Sequence, residues 1–264
     1  MCSIQPNDFE QIAVYNDALN KLKANLYYLY SQDTRLWFGV NSTLRKYVED
    51  NRGQYSDDDI EFEIEKRLKN WKVRGQFKSV HICLKTSADV PDEQTARLVI
   101  LLPKYFYVEA GDNPAINEAR KILDKRGNVP RMWKNMLLFM AADYEKLKIL
   151  KEIVKDYLAW KFVNENSRSL NLDSLQLEDA ENNLKRAEDN FKMKTSQAYC
   201  KIFVPEKSDD KESNRTIKVE KIECLEEENI SAASNKFIRD ENLLTSLGRE
   251  NLRDWLEQTN LARR

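Results

Sequence analysis

Residues 96–160 constrain the fold more than any other stretch. They read strand, helix, strand, helix: "ARLVILLP", "NPAINEARKILDKRG", "NMLLFMAAD" and "YEKLKILKEIVKDYLAW". The apolar runs Leu98–Leu102 and Met136–Ala142 have the length of buried strands. Pro114 and Gly127 bracket the first helix with the Pro-first, Gly-last asymmetry of helix ends. Strand–helix–strand connections of this length favour a parallel pair joined by a right-handed crossover. The second strand closes on Asp143, as a Walker B strand closes on its acid. A phosphate-binding loop needs the spacing G-x-x-x-x-G-K-[ST]. The six glycines (39, 53, 75, 111, 127 and 248) never approach that spacing.

Around this unit the pattern extends in both directions. Residues 8–30 place Phe9, Ile12, Ala13, Leu19, Leu22, Leu26 and Leu29 at helical spacing, with Asn16-Asp17 as a break or cap. An aromatic strand Arg35–Phe38 follows, then a short helix capped by Asn41 or Ser42. Two helices and an aromatic strand would suit a winged-helix remnant. Ser56 and the acids Asp57, Asp58 and Asp59 open a helix to Trp71 with Ile60, Ile64 and Leu68 on one face. Phe77–Leu84 reads as a strand. From Asp173 to Ile202 the three-and-four spacing of Leu177, Ala180, Leu184, Ala187, Phe191 and Ala198 gives one long helix, stopped by Pro205.

The expected fold is therefore α/β: a small, mostly parallel sheet flanked by helices, with a long helical extension and a candidate N-terminal winged-helix remnant. The expected organisation is a helical, winged-helix-like segment at 1–50, an α/β domain at 51–165 and a long helix at 166–205. A polar linker at 206–220 and a helix pair at 221–264 follow, the pair near Ser231–Arg239 and Gly248–Glu257 with Leu243-Leu244 between.

Charged residues make up 33% of the chain and net charge is −1, so no global basic field announces nucleic acid. The cysteines, at 2, 83, 200 and 224, form no CxxC pair, and His81 is the one histidine. A zinc site is not expected from that set. Scattered cysteines, no signal segment and no apolar run of about eighteen residues predict a cytoplasmic protein with no membrane partner.

Four places are weighed for chemistry. Asp143 either helps hold a Mg²⁺ ion or caps the helix that starts at Tyr144. The loop Arg126–Asn135, "RGNVPRMWKN", sets Arg126, Arg131 and Lys134 around Pro130. Arginines on a rigid loop can grip a phosphate or act in trans as an arginine finger; the alternative is a surface loop with solvated side chains. His81 has no nucleophile motif near it and reads as structural or surface. Asp89 and Asp92 flank Pro91, where turn chemistry explains them better than a cation does.

Several segments in one order carry a resemblance: "TRLWFGVNSTLRKYVED", "VHICLKTSADVPDEQTARLVILLP", "ILDKRGNVPRMWKNMLLFMAADYEKLKILKEIVKDYLAWKFV", "LNLDSLQLEDA" and "AYCKIFVP". Together they resemble a family of large predicted AAA-type ATPases of unknown function from archaea and bacteria, encoded beside DNA methylases and helicases in antiphage islands. In that family these segments lie downstream of the P-loop core. Arg97, Arg126, Arg131 and Asp143 fall on recurring positions of the pattern, and Arg97 is a candidate basic contact. The chain departs from the family in lacking Walker A. The resemblance thus implies a non-catalytic fragment or split component, which meets ATP and Mg²⁺ only through a partner, a P-loop ATPase subunit or a second copy. A winged-helix DNA-binding accessory module and a stand-alone enzyme with an unrecognised site are the alternatives.

Overall fold

The computed structural model describes residues 12–32, 35–39, 43–206, 216–222 and 228–239. The chain groups into two compact units, each made of two stretches: one within residues 1–56 and 155–188, the other within 57–154 and 189–264.

In the first unit, α1 (Ile12–Asn25) passes Asn16 and Asp17 without a break. Asp17 pairs instead with Lys21 one turn on, at 2.8 Å. The helix does not reach Leu29. The aromatic run after it suits a half-exposed strand better, and it enters a hairpin of β1 (Leu29–Gln32) and β2 (Arg35–Phe38). The hairpin is antiparallel, with Tyr30 stacked on Trp37 at 5.8 Å between ring centroids. Of the elements expected here, a helix, the aromatic strand Arg35–Phe38 and a short helix after it are present; what the sequence did not show is β1, which pairs with that strand. Phe9 and the expected caps Asn41 and Ser42 lie outside the described residues. After the hairpin comes α2 (Leu44–Arg52). The unit's core gathers Val48, Ala159, Val163 and Ala180 beneath Tyr47, Tyr55 and Trp160. The Tyr55 hydroxyl donates to the Leu158 carbonyl at 3.0 Å.

The second unit holds the sheet. Its first helix, α3 (Asp57–Lys69), carries three acids in its first turn and Lys66, Arg67 and Lys69 in its last, both favoured by the helix dipole. Three parallel strands follow: β3 (Ser79–Ile82), β4 (Arg97–Ile100) and, further on, β7 (Leu137–Ala141), in register Ser79↔Arg97 and Arg97↔Leu137. Between β4 and β7 lies α4 (Pro114–Asp124), capped by the Asn113 side chain, which accepts from the Ile116 N–H at 3.3 Å. Gly127 does not close α4. It sits at φ +58° in the two-residue turn of a small hairpin, β5 (Lys125–Arg126) and β6 (Val129–Pro130), where a positive φ at the first turn position calls for glycine.

Beyond β7 come α5 (Tyr144–Glu165) and α6 (Ser174–Ala198), which contribute turns to both units. Then come β8 (Lys201–Glu206), β9 (Thr216–Lys221) and α7 (Asn229–Arg239). No described helix is long and apolar enough to cross a membrane.

The sheet order is β3-β4-β7-β8-β9, and β8 and β9 run antiparallel to their neighbours. The sheet is therefore mixed rather than mostly parallel. The long helix stops at Ala198, short of Ile202. The Asn229 side-chain amide donates to the Ser196 and Tyr199 carbonyls at 2.7 Å each, satisfying acceptors at that helix end. Pro205, expected to stop the helix, sits in β8 beyond its pairing with β7, where no N–H is needed on that side. The segment expected as a linker already carries β9 from Thr216. The second C-terminal helix at 248–257 and Leu243-Leu244 lie outside the described residues. Val99, Leu137, Phe139 and Phe203 of the sheet pack with Ala115, Ala119 and Ile122 of α4 to form one core.

Candidate functional site

The loop from Lys125 to Lys134 is built on a buried arginine. Arg131 is 4% exposed. Its Nε donates to the Ile122 carbonyl at 2.6 Å, in the last turn of α4, where carbonyls lack helical partners. Nη2 donates to Ser87 O at 2.9 Å and Val90 O at 3.0 Å, and Nη1 to Pro91 O at 3.3 Å. The planar guanidinium has five N–H groups in a fixed fork, and here they join α4 to the turn that follows β3. Burial pulls the Arg131 pKa down, with Asp92 opposing and Arg126 and Arg97 adding to the fall. An arginine stays charged regardless.

Asp92 completes the anchor. Its carboxylate accepts the Met132 N–H at 2.8 Å and the Trp133 N–H at 3.0 Å. Gly127 N donates to Ser87 Oγ at 3.0 Å, Arg126 Nε to Ala88 O at 3.2 Å, and Lys134 pairs with Asp124 at 2.7 Å. Burial raises the Asp92 pKa, but the two backbone N–H groups and the Arg131 and Arg126 charges outweigh it, leaving it below the usual value. A depressed carboxyl pKa stabilises the fold above its unfolded value of about 3.9, and that contribution is lost as pH falls through the folded value. Amide exchange at Met132 and Trp133 is expected to quicken selectively below about pH 4, and Asp92→Asn is expected to remove that acid limb. Exchange that stays slow and pH-independent relative to the rest of the sheet would contradict this.

The anchored loop displays a tip. Lys125, Arg126, Val129 and Pro130 are exposed; Val129 is 66% and Met132 79% exposed. Of the three cations expected to act together, Arg126 is presented, Arg131 is consumed below it and Lys134 is paired.

The other sequence candidates sit elsewhere. Arg97 opens β4, is 4% exposed, pairs with Glu93 through Nη2 and donates from Nη1 to Thr95 O at 3.3 Å; its Nε has no hydrogen-bond partner. His81 is half-buried, with Nε2 3.0 Å from Ser79 Oγ. Burial, then the Arg97 and Arg131 charges, lower its pKa, so it is neutral at pH 7.

Asp143 caps α5: Oδ1 accepts from Glu145 N at 3.1 Å and Lys146 N at 3.4 Å, and Oδ2 lies 3.4 Å from Lys201 Nζ. Lys201 lies over the Tyr107 ring at 4.5 Å. Because Arg97 is in register with Leu137, six residues before Asp143, the two are roughly 20 Å apart along the strands. The fold therefore does not join Asp143 to Arg97, His81 or the arginine loop. Among the described residues no group of three or more His, Cys, Asp or Glu could hold a metal ion.

Sequence reasoning missed two things. Asp92 binds backbone across the loop, and its only sequence signal was a turn acid beside Pro91. The exposed Val129 and Met132 were legible only as apolar residues in a proline-fixed loop. Compared with known proteins, the chain matches no family model, no curated protein and no solved structure.

Proposed function

We propose that this chain is a non-catalytic component of a defence-linked, AAA-type ATPase assembly, and that it acts through a protein contact made by the Lys125–Met132 loop. The observation that carries the reading is the pairing of a rigid base with an exposed tip: Arg131 and Asp92 fix the backbone while Arg126, Val129 and Met132 face outward. A tip held in place loses little conformational entropy on binding. Exposed Val129 and Met132 favour a protein over a nucleic acid, because phosphate contacts are polar and dominated by charge. Arg126 is the group able to reach a partner's acid or a phosphate in its nucleotide. The missing Walker A spacing and the engagement of both Asp143 oxygens support a role without nucleotide turnover in this chain.

The test uses the full chain and its Arg126→Glu/Met132→Asp variant. The wild type is expected to capture, from its native host, a protein carrying a P-loop, and the variant to lose at least about tenfold of that recovery with its melting temperature unchanged. Equal recovery by both forms would remove the loop from the contact. Micromolar binding of Mg·ATP by the isolated chain would overturn the non-catalytic reading itself.

A further inference from the structure

A cleft of about 450 Å³ opens beyond the carboxyl ends of β3 and β4, within the second unit and apart from the arginine loop. Its volume is that of a small-molecule site. Its position is where open α/β sheets hold ligands, outside the carboxyl ends of the strands. One wall is the α3 stripe Asp58, Glu61, Phe62 and Glu65, which share a helix face by their spacing. The opposite wall is chain leaving the two strands, with Lys85 after β3 and Lys104 and Tyr105 after β4. Cys83, at φ +52°, makes the sharp turn that delivers Leu84 and Lys85 to that wall, its N–H held by Ile100 O at 2.8 Å.

The acids lie on α3 and, at Glu118, on α4, the lysines on the chain leaving the strands, and these charges are unequally satisfied. Glu61 is paired with Lys151 at 2.9 Å, Glu65 with Lys69, and Glu118 at the rim with Lys121 at 3.4 Å. Asp58, Lys85 and Lys104 have no ion-pair partner among the described residues. A simple anion would meet the carboxylates of α3, and a simple cation would meet the ammonium groups of Lys85 and of Lys104, the latter over the Tyr105 ring at 5.1 Å. A molecule with both charges, aligned across the cleft, meets attraction at each end. The two walls also carry Leu84, Leu102 and Pro103 and the rings of Phe62, 66% exposed, and Tyr105. We propose that this cleft binds a small zwitterion with an apolar body, of the free amino-acid or dipeptide type. Its ammonium group faces Asp58 and α3, and its carboxylate faces Lys85 and Lys104.

Calorimetric titration of the full chain with phenylalanine and with leucyl-phenylalanine tests this and separates the two sources. At least one probe is expected to bind with a Kd at or below about 1 mM, tighter for the dipeptide if the charges are read across the whole cleft. The N-acetylated and C-amidated forms of that probe are each expected to bind about tenfold more weakly, as is the unmodified probe to Lys85→Ala/Lys104→Ala. Should that double variant fail to fold, Asp58→Asn is expected to weaken the free probe and leave the N-acetylated one unchanged. Blocked and free forms binding alike, or neither probe binding at 10 mM (about tenfold above that Kd), would overturn the proposal. Neither result bears on the loop contact, whose variant lies outside this cleft.

Discussion

Arg131→Met is expected to lower the stability of the chain by about 3–4 kcal/mol, measured as a shift of the urea midpoint at constant slope. The arginine serves the Ser87, Val90, Pro91 and Ile122 carbonyls. Methionine fills much of the same space but donates nothing, so buried acceptors lose their partners, at about 1–3 kcal/mol for each one that water does not reach. Lysine is expected to rescue only a fraction, since one ammonium cannot span a planar fork of acceptors. Arg126→Ala, five residues earlier and exposed, is expected to move stability by less than about 0.5 kcal/mol. This contrast separates the post from the tip. A loss below about 1 kcal/mol for Arg131→Met would mean that water takes over the four carbonyls, and the rigid-base argument would go with it.

Phe203→Ala is expected to be as damaging, about 3–5 kcal/mol. Phe203 is fully buried, opposes Phe139 across the β7–β8 ladder and packs against Tyr107 with ring centroids 6.0 Å apart. Its removal leaves a cavity between sheet and α4 that close-packed neighbours fill only in part. A loss of less than about 1 kcal/mol would place β8 outside the cooperative core. Phe38→Ala, at a position 74% exposed, is the control expected to have little effect.

The parts of the fold that were legible are those whose signals are local. β4 and β7 are unbroken apolar runs, α3 has its acidic first turn, and α4 has Asn113 and Pro114 at its start. β8 was hidden because "AYCKIFVP" continues a helical spacing, and the interaction that ends the helix comes from Asn229, about thirty residues away. β9 was hidden because "TIKVEK" alternates two apolar residues with charges inside a polar stretch. The candidate site divides in the same way. The sequence marks the Arg126–Lys134 loop, since its proline and clustered cations are neighbours in the chain. It cannot show which arginine is buried, because the carbonyls that claim Arg131 lie as many as 44 positions earlier.

The division of each unit into two stretches sets an order on how a ribosome can build this molecule. When β7 has emerged, its far edge has no strand beside it, because β8 lies beyond two helices. The intervening stretch 155–188 completes the first unit before the second has its last strands. During that interval an apolar strand of five residues, Leu137–Ala141, offers an open ladder to any neighbouring nascent chain. Slowing translation between residues 142 and 200 is therefore expected to raise the aggregated fraction rather than lower it.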